Sequence, residues 1–147
     1  MALIADDAQD RAEQLLLVTE RLTALVSEET RRIDAREPAL EGADAEEKNR
    51  LANVYRLELA RIKQDRSLIE GAAPETLTKL RQSTVQLQAA LDAHEIALSA
   101  VKAVTEGLVQ AIADEVVRQR GGAAAYGAAG APVQSKGPSP AILDRNA

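Results

Sequence analysis

His94 is the only histidine in this 147-residue sequence, which has no cysteine, so it is the first residue to consider for catalysis or metal binding. Either role needs further groups converging on the imidazole, and here those ligands would have to be carboxylates. His94 falls on the apolar seam of a predicted helix, where a polar residue commonly sets the register between packed helices. We therefore favour the seam interpretation over the functional one.

Other residue types that support catalysis are present without the required spacing. Serines and threonines are scattered with no base at a recognisable distance, so no nucleophile can be nominated. Adjacent acids such as Glu28 and Glu29 point to different sides of a helix. Gly121 and Gly122 follow a predicted helix, whereas a phosphate-binding loop precedes one. The sequence predicts a protein that is not an enzyme, with no cofactor and no metal site.

Composition and charge narrow the class of protein. Hydrophobic residues make up 46% of the chain but aromatic residues only 1%, so the core must be aliphatic, as in helix-to-helix seams. The 23 acids and 18 bases give a net charge of -5 without a basic block, which disfavours nucleic acid as a partner. We expect a cytoplasmic protein without membrane insertion, because the first ten residues are acidic and no apolar run approaches membrane-spanning length.

The elements that must position these residues are helices, and the longest is predicted from Pro74 to about Gln119 or Arg120. Gly107 is its only interruption. Its seam positions recur every three or four residues, as in a left-handed coiled coil. They are Leu77, Leu80, Thr84, Leu87, Leu91, His94, Leu98, Val101, Thr105, Leu108 and Ile112.

Two shorter helices are predicted to precede the long one. The first opens near Asp6 or Asp7, whose carboxylates suit a cap, and stops before Pro38. The second starts at Asp44, with Glu47 three residues on in the spacing of a capping box, and continues to the Gly-Ala-Ala-Pro turn that begins at residue 71. Short connections predict that consecutive helices are antiparallel.

The predicted fold is all-α. It is an elongated antiparallel three-helix bundle or coiled coil with one very long C-terminal helix and a flexible tail. Residues 1–120 form the helical domain, and residues 121–147, rich in Gly, Ala and Pro, form the tail.

The third helix is too long to be covered by the other two. At about 1.5 Å per residue it would measure roughly 65 to 70 Å, against roughly 45 and 40 Å for the others. We interpret residues 77–91 as intramolecular core. For residues 101–117 the alternatives are core and a leftover apolar stripe, which would be covered by a dimer mate or would hold a client helix.

Three local matches carry a family resemblance. They are Glu37–Leu40 with the helix start Asp44–Leu51, the stretch Ala93–Leu108 of the long helix, and Tyr126–Gly130, which is similar to a Tyr-Gly motif followed by a second Gly. In these features the chain resembles the FlgN-type flagellar export chaperones, in the style of an alphaproteobacterial branch.

The resemblance implies a cytoplasmic type III export chaperone that binds the amphipathic terminal helix of hook-associated flagellar proteins. It would prevent their premature assembly and deliver them to the export gate platform. Tyr126 would be the residue that docks at the gate. Carried over by position, the client-binding residues would be Val101, Val104, Leu108, Ile112 and Val116.

The alternative is a non-enzymatic coiled-coil homo-oligomeric scaffold, such as one associated with the flagellar basal body, whose leftover stripe binds a second copy of itself. A chaperone is expected to be a monomer or a weak homodimer that forms a discrete complex with its client. Thr84, His94 and Thr105 weaken a self-associating seam and so favour the chaperone.

Overall fold

A computed structural model describes the backbone from Leu3 to Gly127 and the side chains from Leu3 to Gly121. This part of the chain is helical, without strands, which confirms the predicted fold class. The chain divides into two units, one ending at Val101 and one beginning at Lys102. The helices are α1 Ala8–Ala35, α2 Gly42–Gln64, α3 Ser67–Glu70 and α4 Pro74–Gly127.

In the first unit, α1 and α2 are antiparallel. Arg11, near the start of α1, contacts Glu58, near the end of α2, with 2.7 Å between Nη1 and Oε2. Arg21, further along α1, pairs with Glu47, near the start of α2, at 2.8 Å. Contacts that move forward along α1 and backward along α2 require opposite directions, as the short loop predicted.

The first part of α4 is parallel to α1. The amide of Gln9 donates to the hydroxyl of Thr76 over 3.0 Å at one end, and the hydroxyl of Thr30 lies 3.2 Å from Nδ1 of His94 at the other. The long helices of the first unit therefore run up, down and up.

Both ends of α1 lie close to the predicted positions. The carboxylate of Asp7 accepts a hydrogen bond of 2.8 Å from the backbone N–H of Asp10, which caps the first turn. Arg36 ends the helix in the left-handed region with a φ of 59°, and the N–H of Glu37 donates to the carbonyl of Arg32 over 2.8 Å. The helix thus stops before Pro38.

The capping box predicted at the start of α2 does not form. The helix begins at Gly42, and Glu41 precedes it without a side-chain hydrogen bond to the helix end. Glu47 instead accepts two hydrogen bonds from the guanidinium of Arg21, at 2.9 and 2.8 Å. A two-pronged charged pair with α1 replaces the local cap that the spacing suggested.

The second helix was predicted to continue to residue 71, but α2 ends at Gln64. The carboxylate of Asp65 accepts hydrogen bonds from the backbone N–H and the hydroxyl of Ser67, which breaks the helix and starts the four-residue α3. Aspartate and serine offer the backbone such local bonds and so favour turns over helix interiors. The prediction of one uninterrupted second helix is therefore wrong.

The core is aliphatic, as the composition predicted. Leu80 and Leu87 of α4 are 7% and 1% exposed, so the first part of α4 packs against α1 and α2. One cluster of buried residues is Leu22, Leu25, Val26, Leu40, Leu51 and Leu87, and the second is Ala12, Leu15, Ile62, Ala72 and Leu80.

A charged network is buried between α1 and α2. The carboxylate of Glu58 is fully buried and accepts from the guanidinium of Arg11 at 2.7 Å and from that of Arg61 at 3.1 Å. The backbone N–H of Leu3 donates to the same carboxylate over 2.9 Å. Glu58 therefore joins both helices to the N-terminal segment.

The helix predicted to end near Arg120 continues to Gly127. Three alanines from Ala123 to Ala125, the residue type with the highest helix propensity, follow the two glycines that were interpreted as its end. The predicted tail from residue 121 thus begins inside α4. Residues 128–147 lie outside the described part of the chain.

Part of α4 has the length and composition of a membrane-spanning helix. An 18-residue window of this helix has a mean hydropathy of 1.4 and is only 6% buried. No apolar run of this length was expected from the sequence, so this window was not predicted. A helix whose apolar face binds another protein has the same length and composition.

Candidate functional site

The predicted client-binding residues lie on the later part of α4. Val101 is 48% exposed and is the last residue of the first unit. The other four lie in the second unit and are 67%, 60%, 55% and 39% exposed, in chain order. We call these four, Val104, Leu108, Ile112 and Val116, the α4 stripe.

Regular helix geometry places the α4 stripe on one side of α4. Its members are four residues apart, and at about 100° per residue this spacing confines them to an arc of about 120°. Val117 is 67% exposed and falls on the opposite side of the helix by the same geometry. Glu115 shares the arc of the stripe, and it is paired with Arg118 at 2.7 Å.

In this part of α4, polar side chains one turn apart pair with each other. The ammonium of Lys102 lies 3.9 Å from the carboxylate of Glu106, one turn further on. The amide of Gln110 donates to Asp114 over 2.8 Å. Pairs at such spacing stabilise a helix without help from a neighbouring element.

The arrangement suits recognition of another apolar surface. Exposed aliphatic side chains at intervals of one turn match the apolar face of a second helix, which is read at positions i, i+3, i+4 and i+7. Burial of each such side chain is worth roughly 1.5 to 3 kcal/mol before ordering costs.

His94 lies outside the stripe, at the contact between α4 and α1. Its side chain is 17% exposed, with Nδ1 3.2 Å from the hydroxyl of Thr30 and Nε2 4.0 Å from the carboxylate of Glu29. Among the described residues, no group of three histidine, aspartate or glutamate side chains is placed to hold a metal ion. The geometry of His94 is that of a polar residue in a helix seam.

Tyr126, the predicted gate-docking residue, lies in the last turn of α4 and not beyond the helix. Its side chain is outside the described part of the chain. The gate-docking role therefore stays a prediction.

A cavity that the sequence did not predict lies in the first unit between α2, α3 and the start of α4. It has a volume of about 540 Å³. Its floor is formed by the buried side chains of Leu15, Ile62 and Leu80. We call it the α2–α4 groove. Tyr55 of α2 and Thr84 of α4, both half-buried, also line it.

Three cations surround the α2–α4 groove. Lys63 and Arg66 lie on the side of α2 and α3, and Arg81 lies on the side of α4. All three are exposed, and within the described residues none of them is in an ion pair. Glu70 is the one acid among the lining residues.

Fold and site together define an all-helical protein whose long last helix exposes an apolar face. No family model matches the chain, and no solved structure matches it. Over 131 residues, which are 88% of both sequences, the chain is 42% identical to the flagellar basal-body protein FlbY of Caulobacter vibrioides. The chain belongs to the family of this flagellar protein. The flagellar association that the resemblance implied is thus confirmed, without extending to FlgN-type chaperones in particular.

Proposed function

We propose that this chain is a cytoplasmic flagellar export chaperone that binds the amphipathic terminal helix of a hook-associated protein. The observation that carries the proposal is the α4 stripe, whose four aliphatic side chains are 39% to 67% exposed on one side of a helix. Membership of a flagellar family supports a client from the same organelle. The proposed chaperone prevents premature assembly of the client and delivers it to the export gate, where Tyr126 docks.

Binding of a client helix to the α4 stripe requires no cofactor. Apolar side chains of the client would cover Val104, Leu108, Ile112 and Val116. Burial of these four side chains, at up to roughly 1.5 to 3 kcal/mol each, together with burial of the client's own apolar side chains, offsets the cost of association.

The test is size-exclusion chromatography with light scattering on the full chain, alone and mixed with a hook-associated protein from the same organism. We expect a discrete one-to-one complex that keeps the client soluble. Leu108→Asp and Ile112→Asp should each abolish the complex, because a carboxylate would be buried against the client. The matched control is Val117→Asp, which places the same charge on the opposite side of α4.

Equal binding by all three variants, with helical content unchanged, would contradict the assignment of the α4 stripe. Gate docking is tested separately, by export of the client in cells that carry Tyr126→Ala. We expect export to fall while the soluble complex persists.

A second function is favoured by the name of the relative, which is called a basal-body protein. In this alternative the chain is a homo-oligomeric scaffold, and the α4 stripe contacts a second copy of itself. The same chromatography separates the two functions. A stable homo-oligomer that Leu108→Asp dissociates, and that ignores the client, would establish the scaffold.

A further inference from the structure

The α2–α4 groove is an unfilled position in the helical bundle of the first unit. Leu15 of α1 lies at its floor with Ile62 of α2 and Leu80 of α4, and all three side chains are buried, so the groove is a depression over a closed core. Along α4 the lining extends from Leu77 to Val85, which is about 12 Å of helix. The opening therefore has the length of about two helical turns.

The charges around the groove indicate the chemistry of its occupant. Lys63 and Arg66 come from the α2–α3 segment and Arg81 from α4, with Glu70 as the only opposing charge among the lining residues. An occupant with carboxylates on both sides of an apolar strip would pair with the cations of both segments. A single-headed amphiphile such as a fatty acid would place its one anionic group at one point only.

We propose that the α2–α4 groove binds a short helix of a partner protein, with an apolar face flanked on both sides by aspartate or glutamate. Its apolar side chains would contact the half-buried Leu59 and Leu77 and the exposed Val85, and its carboxylates would pair with Lys63, Arg66 and Arg81. This site is in the bundle unit and shares no residue with the α4 stripe. It is a binding site in addition to the one under the proposed function.

The experiment uses two designed helical peptides of about 18 residues, long enough to hold helical structure. Both carry leucine at positions i, i+3 and i+7. In the first peptide glutamates flank the leucines, and in the second every glutamate is lysine. Fluorescence anisotropy measures the binding of each labelled peptide to the full chain at low salt.

We expect the glutamate peptide to bind about tenfold more tightly than the lysine peptide, because it forms up to three partly exposed ion pairs. The preference should shrink as the salt concentration rises. Arg81→Glu should weaken binding of the glutamate peptide several-fold. Lys79→Glu is the matched control, because this exposed cation lies two residues away on α4 and does not line the groove.

Val85→Asp tests the apolar contact in the groove without changing any of the three cations. The side chain of Val85 is 65% exposed, so the substitution spares the core while it places a carboxylate in the groove. We expect it to abolish binding of the glutamate peptide, whereas Leu108→Asp leaves it unchanged. If the unsubstituted chain does not bind the client but does bind the glutamate peptide, only the proposed function is refuted.

Three results would overturn the proposal. The first is that neither peptide binds, and the second is that Arg81→Glu and Lys79→Glu have equal effects. The third is that decanoate, added as a fatty-acid probe, perturbs the backbone amides of Leu59, Ile69 and Thr84 in NMR spectra while both peptides leave them unchanged.

Discussion

The buried carboxylate of Glu58 offers the sharpest test of what holds the bundle together. It is fully buried and accepts hydrogen bonds from Arg11, Arg61 and the backbone N–H of Leu3. Glu58→Gln keeps the size of the side chain and removes its charge. The side chain of Arg11, only 10% exposed, would then be left as an uncompensated cation.

The expected loss is large because breaking a buried pair leaves a charge without a partner. Removal of one member of such a pair costs about 3 to 5 kcal/mol, and the amide oxygen that replaces the carboxylate would recover only part of it. We therefore expect Glu58→Gln to lower the free energy of unfolding by about 3 kcal/mol. Arg11→Met should cost less, because Glu58 would still accept from Leu3 and Arg61.

The assay is urea unfolding followed by circular dichroism, on the single variants and on the double variant Arg11→Met with Glu58→Gln. The double variant should lose at least about 1.5 kcal/mol less than the sum of the two single losses, since neither charge remains buried alone. Glu47→Gln is the matched control, because it removes a carboxylate paired with an arginine at the surface. Additive losses, or equal losses for Glu58→Gln and Glu47→Gln, would refute the reasoning.

Three further predictions concern the C-terminal part of α1 and the start of α2. Arg36→Gly should raise the free energy of unfolding by up to about 1 kcal/mol in urea titrations, because Arg36 is exposed and holds a φ of 59°. Gly42→Ala should lower it by about 1 kcal/mol, since the φ is 58° although nothing lies within 4 Å of the added Cβ. Hydrogen bonds from Arg31 and Arg32 lower the pKa of Glu28 from 4.5 to about 2. Its stabilising contribution is complete above pH 4.5 and is lost as the pH falls toward 2. In urea titrations at several pH values, the free energy of unfolding of Glu28→Gln should therefore change less between pH 4.5 and pH 2 than that of the unsubstituted chain.

Local signals in the sequence predicted the ends of a helix correctly where no residue distant in sequence competes for the same side chain. Asp7 caps α1 and Pro38 follows its end, because a cap and a proline act on their own backbone. Glu47 was mispredicted since Arg21, 26 residues earlier, binds the carboxylate that the spacing assigned to a cap. Spacing along one helix carries no information about such a partner.

The spacing of the α4 seam predicted which residues are buried only where α1 and α2 lie alongside α4. Leu80 and Leu87 are buried, but Leu91 and Leu98, which continue the same spacing, are 41% and 48% exposed. Ala97, which is not a seam position, is 5% exposed. The spacing identifies one apolar side of a helix, whereas burial depends on where α1 and α2 end.

The α4 stripe could be predicted from the sequence, whereas the α2–α4 groove could not. The α4 stripe was predictable because its spacing and the length of its helix are local properties of the chain. The α2–α4 groove depends on a separation between two helices, to which the break at Asp65 and the short α3 contribute. Neither feature of the groove has a periodic signature in the sequence.

The local pairs along the second part of α4 bear on how the stripe would bind. Lys102 with Glu106, Gln110 with Asp114, and Glu115 with Arg118 each join side chains one turn apart. These pairs stabilise helical structure before any partner arrives, so less conformational entropy remains to be lost on binding. An exposed apolar side on a helix stabilised in this way is a preorganised binding surface, and for a client helix most of the ordering cost would then fall on the client.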